Sequence, residues 1–462
     1  MVFQKFKNNH APGTNGAKKT GAVLMTEGCI WKQILFFSIP LILGNLLQQM
    51  YNAVDSIIVG NCVGSNALAA VGSNTSLINL LISFSMGASV GAGVIVSQYL
   101  GARDDENVGH SVHTSLAIAL ILGLVLTVAG IALSPQLLRW MGTPDEVMPD
   151  STLYLRVYSF GIIFNVLYNM AAGILNAVGN SRRSLIYLAC AAGINIVLDL
   201  VLIAGMGMGV EGAAIATDMS QVLSSILALA YLMRTPENYR VDLRKIRIHK
   251  RSAVKIIRVG LPAGIQNTVI SFSNVLVQSS VNAYGAMAMA GFGAYLKIDG
   301  FNILPVLSFS MAATTFVGQN YGAGRMDRVK KSLWITMGMG FFYTIATGVL
   351  LLTFRNQAIG LFSQDPEVIT YGTRAMWYFC PFYWLLSIMH SQAGTIRGTG
   401  RTIPPMVVLL IALCLFRIVW IQFVVPSIHT IDGVYALYPA SWLLGMILMT
   451  GYTWKGHWRE QN

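Results

Sequence analysis

Charge is scarce in this chain. Of 462 residues only 11% are charged, where a soluble domain carries about 25%. That excludes an ordinary water-soluble globule. Cysteines are few, and the five of them (Cys29, Cys62, Cys190, Cys380, Cys414) show no paired spacing, so neither a disulfide framework nor a cysteine metal site is expected. No G-x-x-x-x-G-K-[ST] stretch occurs, which removes the usual sign of ATP drive. No set of residues spaced as a nucleophile with its base, or as paired general acids, stands out, so the chain is not read as an enzyme. Basic residues are nearly missing from every second loop, with Arg139 and Arg355 the exceptions. No cofactor is expected.

Apolar residues are what the chain has in plenty: 54% hydrophobic, with a mean hydropathy of +0.59. They gather in runs of about 20 or more, the length that spans a bilayer core as a helix. Twelve spans are expected, near 33–58, 73–98, 110–133, 152–178, 184–205, 211–233, 256–282, 288–318, 331–353, 367–395, 404–425 and 431–454. The fold class is therefore an all-α polytopic membrane protein. The net charge of +12 could suggest nucleic acid, but its placement does not. Lys and Arg concentrate before the first span, in the stretch 234–255, and in alternate short loops such as Arg182/Arg183 and Arg397/Arg401. This positive-inside pattern, with an even number of spans, puts both termini in the cytoplasm. No nucleic-acid partner is expected; the lipid bilayer is. The polar first residues carry no short apolar run ahead of a small-residue cleavage site, so no cleavable signal is expected there, and 1–30 reads as a disordered cytoplasmic tail.

The chain is written twice. One constant shift lays "SQYLGARDDENV" (97–108) on "GQNYGAGRMDRV" (318–329), "AGILNAVGNS" (172–181) on "AGTIRGTGRT" (393–402) and "GVEGAAIA" (209–216) on "TIDGVYAL" (430–437). Pro40 and Pro262 open the first span of each half. Six spans per repeat is even, so the halves share one orientation, a plan suited to alternating access between two pseudo-symmetric lobes. The expected boundaries are 31–233 for the first lobe, 234–255 for a basic cytoplasmic linker, 256–454 for the second lobe and 455–462 for a cytoplasmic tail. A duplicated scaffold without transport is the bland alternative, and the intramembrane polar residues weigh against it.

A carboxylate deep in a bilayer costs at least a few kcal/mol and marks an ion or substrate path. Asp55, Asp199 and Asp299 lie well inside spans. Gln48, Tyr51, Asn52 and Asp55 share one face of the first span, at i, i+3, i+4 and i+7. Asn195 and Asp199 share a face of the fifth. The sixth carries Thr217 and Asp218; the fourth carries Asn165, Tyr168 and Asn169. Together they offer hard oxygen ligands to a small cation, and two carboxylates in one dry pocket could equally hold a proton. A permanently protonated interhelical clamp is the competing reading. The second half differs: its first span has Asn267, Ser271, Asn274, Gln278 and Asn282 but no acid, and the eleventh span has Arg417 where the fifth has its Asn and Asp. Asp299 and Lys297 either pair with each other or serve substrate. Tyr383 and His390, in the aromatic run 376–390, are candidate cavity walls for flat cations, although packing explains much of that run and His390 alone reads as a core residue.

These motifs bring the chain close to a known family. "P-x10-Y-x3-D-x4-G" from Pro40 to Gly60, "SQYLGA" with its repeat "GQNYGA", "AGILNAVGNS", "NIVLD" and "GVEGAAIAT" resemble the multidrug and toxic compound extrusion (MATE) family of secondary transporters, over roughly 30–454. The resemblance implies twelve helices in two lobes and export of small organic cations in exchange for H⁺ or Na⁺ as the coupling ion. It implies a cation site at Tyr51, Asp55, Asn195, Asp199 and Thr217, with any Na⁺ held by Asp55, Asn195, Asp199 and Thr217. Other members place acids on the seventh and tenth spans, and this sequence has none on either. A monomer in the cell membrane is expected. The runner-up is a flippase for a lipid-linked oligosaccharide or cell-wall precursor, for which Lys297, Arg374 and Arg417 are few deep cations.

Overall fold

In the computed structural model the described residues are 23–63, 65–141, 143–456 and 458, and among them there is no strand. The expected tail 1–30 lies outside the described residues as far as residue 22, as do residue 457 and 459–462. The first half forms α1 (Ile30–Cys62), α2 (Ser65–Gly101), α3 (Asp105–Trp140), α4 (Met148–Ala177), α5 (Ser181–Asp199, continued by the π-helical turn Leu200–Gly205) and α6 (Val210–Arg234). The second half forms α7 (Lys250–Asn282), α8 (Ala286–Gly322), α9 (Met326–Thr353), α10 (Pro366–Phe379, then Tyr383–Gly398), α11 (Ile403–Leu410, the π-helical turn Ile411–Leu415, then Phe416–Phe423) and α12 (Asp432–Lys455). These are the twelve helices of the expected fold class. Two short helices, Arg355–Gly360 and Val425–Ile428, lie in the connections of the second half.

Ten of the twelve are long and apolar enough, each taken alone, to cross a membrane. The other two have physical reasons to fall short. In α7 the Asn and Ser residues of one face dilute the apolar run. In α10 Pro381 sits in a 3₁₀ turn, Cys380–Phe382, that divides the helix in two; proline lacks the N–H that an unbroken helix needs. α2 and α8, at 37 residues each, reach about 55 Å and overshoot the bilayer core.

Local chemistry sets the helix ends. Asp104 caps α3 by accepting from the Asn107 N–H, and Asp105 and Glu106 follow in the positive first turn. Asp365 caps α10 through the N–H groups of Glu367 and Val368, with Pro366 in the first helical turn. Of the basic stretch 234–255, Arg234 still belongs to α6 and residues from Lys250 onward already belong to α7. The rest is docked on α3: Asn238 donates to Asp105 (2.6 Å), the Asp242 N–H to His113 Nε2 (3.0 Å) and the His249 N–H to Thr114 Oγ1 (3.1 Å).

The buried apolar residues fall into two large clusters. One runs from Ile58 to Val259 and the other from Val277 to Trp458. The first helix of each half crosses to the opposite side. Ile256 and Val259 of α7 pack into the first cluster. Ile34 and Phe37 of α1 form a third, small cluster with Ala312 and Phe316 of α8.

Candidate functional site

Between the two halves lies a cavity of about 580 Å³, within the size range of small-molecule sites. From the first half it is lined by polar residues of α1 and α4, including Gln48, Asn165, Tyr168 and Asn169. Asn169 Nδ2 donates to Asn165 Oδ1 (2.8 Å), and the Tyr168 hydroxyl to the Ser184 carbonyl (3.1 Å). From the second half it is lined by Asn274 and Gln278 of α7, Asp299 of α8, His390 and Arg397 of α10, Arg417 of α11, and Tyr438 and Trp442 of α12. Three expected lining residues stand elsewhere. Lys297 is exposed, with its Nζ 5.4 Å from the Phe362 ring, because a side chain two residues from Asp299 points to another side of a helix. Asn52 is exposed outside the cavity. Tyr383 is buried behind Asp299 and does not reach the cavity surface. Lys297 and Asp299 form no ion pair; Asp299 Oδ1 instead accepts from the hydroxyls of Tyr295 and Tyr383.

A second polar group lies apart from the cavity, inside the first half. Asp55 of α1 and Asp199 of α5 bring their carboxyl groups within hydrogen-bonding reach of each other. Asn195 and Asp199 are both buried. Asp55 Oδ1, both Asp199 oxygens and both polar atoms of the Asn195 amide have no partner among the described residues. Each orphaned buried polar atom costs about 1–3 kcal/mol, and charged ones more. Oxygens facing one another without a donor are the arrangement that a proton or a small hard cation completes. The group is too sparse in acids for a transition metal: among the described residues no three His, Cys, Asp or Glu side chains cluster around a metal-sized space. The π-helical turn begins at Leu200, directly after Asp199, and such turns often lie at functional sites.

Around this pair stand expected residues and two tyrosines that the sequence did not single out. Tyr154 and Tyr158 of α4 lie within electrostatic reach of Asp55 and Asp218, and Tyr51 of α1, an expected site residue, is half-buried and within electrostatic reach of Asp55. The "YLRVY" spacing of 154–158 was the available signal. Thr217 is buried on α6, and its neighbour Asp218 presses its carboxylate on Gly161 of α4, where a Cβ would overlap Asp218 Oδ1. Gln48 faces the cavity and Asp55 faces the acid group, so α1 touches both.

The face of the bundle on which α1 begins and α12 ends is closed by the repeat motifs. Gln98 Nε2 donates to the Gly398 carbonyl, and Gln319 Nε2 to the Ala177 carbonyl, each at 2.9 Å. The repeat shift carries Gln98 onto Gln319 and Ala177 onto Gly398, so each donor and each acceptor has its copy in the other bond. The same holds for the glycines: a Cβ on Gly101 would overlap the Gln319 carbonyl, and one on Gly322 the Gln98 carbonyl. Within each half, Ser89 Oγ donates to the Asn169 carbonyl (2.6 Å) and Ser310 Oγ to the His390 carbonyl (2.7 Å), again related by the repeat. One contact has no counterpart. The extended entry to α1 bridges both halves: Val23 N–H bonds the Val178 carbonyl, Met25 N–H bonds Gln319 Oε1 (2.7 Å), and the Met25 carbonyl accepts from Asn320 and Arg328.

Comparison with known proteins agrees with this architecture. The MatE family model matches residues 40–201 and 262–421. The probable multidrug resistance protein YoeA of Bacillus subtilis (strain 168) is 30% identical over 438 residues, 92% of this chain and 94% of that relative. Among solved structures, a MOP superfamily transporter from Pyrococcus furiosus Vc1 (DSM3638), whose binding pocket is described as having reverse polarity suggesting a different function, superposes with a TM-score of 0.88 at 25% identity, covering 96% of this chain and 100% of that one. An outward-facing multidrug resistance MATE family transporter of the MOP superfamily gives 0.86 at 26% identity, covering 95% and 98%.

Proposed function

Since the chain belongs to the MatE family, a family of membrane transporters, we propose that it is a secondary antiporter exporting small organic cations and drugs across the cell membrane in exchange for H⁺ or Na⁺. The observation that carries this reading is the pair of opposed carboxyls, Asp55 and Asp199, three of whose four oxygens (Asp55 Oδ1 and both of Asp199) have no protein partner among the described residues. The family match and the name of the Bacillus relative support the export half of it.

In this reading Tyr51, Asp55, Asn195, Asp199 and Thr217 take the coupling ion, and the central cavity takes the drug. An ion between the two carboxylates cancels their repulsion and draws α1 toward α5. Pro40 lies inside α1, in its first third, and removes one hydrogen bond there, so the helix bends at that point at low cost. Movement of α1 shifts Gln48 and Asn45 on the cavity wall, and the drug loses its fit. Drug and ion thus compete through one helix, with a coupling free energy of about 1–3 kcal/mol typical of such linkage. The positive-inside pattern makes the latched face cytoplasmic, with both termini on that side. The lobes 31–233 and 256–454 would rock against each other across the cavity, with 234–255 as the cytoplasmic connection.

The test is dye efflux by purified protein in liposomes, driven by an imposed pH gradient or an imposed Na⁺ gradient. One gradient should drive efflux in the wild type, and Asp55→Asn and Asp199→Asn should each reduce it at least about a hundredfold. Efflux that survives both substitutions would move the coupling site elsewhere.

A further inference from the structure

The second-half wall of the cavity carries two arginines, Arg397 and Arg417, and one acid, Asp299, and none of the three has an ion-pair partner among the described residues. Arg417 is only 4% exposed. It donates through Nη1 to Asn274 Oδ1 (3.1 Å) and through Nε to Ser441 Oγ (3.3 Å), and its guanidinium lies 4.7 Å from the Tyr438 ring centre. A guanidinium has five N–H donors. The three others find no acceptor among the described residues, and no carboxylate among them lies within ion-pair distance. Asp299 is the mirror case. Its Oδ1 is held by two tyrosine hydroxyls, while among the described residues Oδ2 accepts no hydrogen bond and no Lys or Arg stands within ion-pair distance. Both residues line the same cavity.

Tyr438 and Trp442 link them. Tyr438 lies within electrostatic reach of both charges. Its ring meets that of Trp442 at 5.9 Å, and Trp442 stacks on Tyr383, which donates to Asp299, at 5.3 Å. The wall therefore reads, in order, as a guanidinium, an aromatic surface and a carboxyl group.

Resting on the antiporter reading above, we propose that Arg417 is a subsite for an anionic group, and that with Asp299 it makes the cavity selective for flat aromatic zwitterions over simple cations. A carboxylate on the ligand accepts from the idle N–H groups of Arg417. A ring packs on Tyr438 and Trp442, and an ammonium or iminium group faces Asp299 Oδ2. A buried charge left unpaired is expensive, so the ligand that neutralises both ends at once is favoured over one that leaves Arg417 bare. A simple cation meets that bare guanidinium as repulsion, which is how specificity is built against the wrong ligand.

The probe is a matched pair of dyes, rhodamine B with its free carboxylate and its ethyl ester, a permanent cation of the same ring system. The full-length protein in liposomes should transport the acid with a lower KM than the ester, by about tenfold, the ordinary worth of a charge-assisted hydrogen bond. Arg417→Gln should abolish that acid-over-ester preference, and Arg417→Lys should retain part of it. Asp299→Asn should weaken both dyes while keeping the preference. Should Arg417→Gln fail to fold, equilibrium binding of the two dyes to the wild type decides: equal affinity, or tighter ester binding, overturns the proposal. A preference untouched by Arg417→Gln also overturns it. Failure of either gradient to move either dye would instead overturn the antiporter reading, so the two outcomes are separable.

Discussion

α1 and α7 hold the same place in the two repeats, and they are held there by different means. Where α7 crosses α2, Gly260 and Gly264 meet Gly87 and Gly91, and a Cβ on Gly87 or Gly91 would overlap the α7 backbone. That contact is backbone on backbone. Where α1 crosses α8, the repeat shift puts Ser308 and Ala312 in the places of Gly87 and Gly91. There Asn45 donates to Ser308 Oγ (3.0 Å), and Phe37 and Ile34 pack on Ala312 and Phe316. Side chains keep the two helices apart and can rearrange. The adjustable copy is also the one that carries the acid, Asp55. Two equivalent helices thus have unequal freedom: α7 is fixed in place, and α1 is left able to respond to a charge.

The sharpest way to break that comparison is to put a side chain into the tight crossing. Gly91→Val should cost more than about 4 kcal/mol and leave little folded protein, because its γ-carbons would occupy the backbone of α7. Ala312→Val, at the repeat position, should cost about 1–3 kcal/mol, the usual range of overpacking. Thermal unfolding followed by gel filtration in detergent reads both, and equal losses would show that the two crossings are alike.

A smaller effect separates the two glutamines. Gln98→Ala loses one hydrogen bond across the latched face, about 1 kcal/mol. Gln319→Ala loses the matching bond to the Ala177 carbonyl and the one from Met25, about 2 kcal/mol. The same unfolding assay should rank Gln319→Ala below Gln98→Ala, and identical midpoints would mean that the segment before α1 contributes nothing to closure.

The smallest effect concerns the docked linker. His249 stacks on His110 with ring centres 4.0 Å apart. Burial, with help from the positive fields of His110 and Arg247, lowers its pKa below the usual 6.5. A lowered histidine favours the neutral form when docked, so docking is strongest above the ordinary value and weakens as acid charges the ring. Hydrogen exchange of the backbone at 243–249, corrected for the intrinsic effect of pH, should therefore show modestly less protection near pH 5 than near pH 8. His249→Gln should remove that pH dependence, and unchanged protection in the wild type would mean that the ring does not hold the linker.

The parts of the fold that were legible in the sequence are those written in long apolar runs and in the repeat. Asp55 and Asp199 were legible because a carboxylate in an apolar run has few innocent explanations. Their meeting needed no more than the period of one helix and the family pattern. Tyr154 and Tyr158 were not legible, because a tyrosine near the end of a span serves equally well as an interfacial anchor. Asp218 could not be placed either, since its partner is the bare backbone at Gly161, and a glycine gives no sign of what it makes room for. Lys297 misled because adjacency in sequence to Asp299 suggested a pair, while the helix turns the two apart. Arg417 was visible as a deep cation, but its idle N–H groups are a matter of what surrounds it.

The reciprocal closure has a consequence for ancestry. Two donors, two acceptors and two glycines exchanged under one constant shift have the form of an isologous contact, in which the same patch faces itself across a two-fold axis. A single six-helix unit bearing that glutamine and glycine would seal the same face as a homodimer, and because six is even, both copies would enter the membrane the same way up. Fusion into one chain keeps the seal and releases its halves from being identical. Only after fusion could one copy hold two acids and an N-terminal strap while the other gained an arginine.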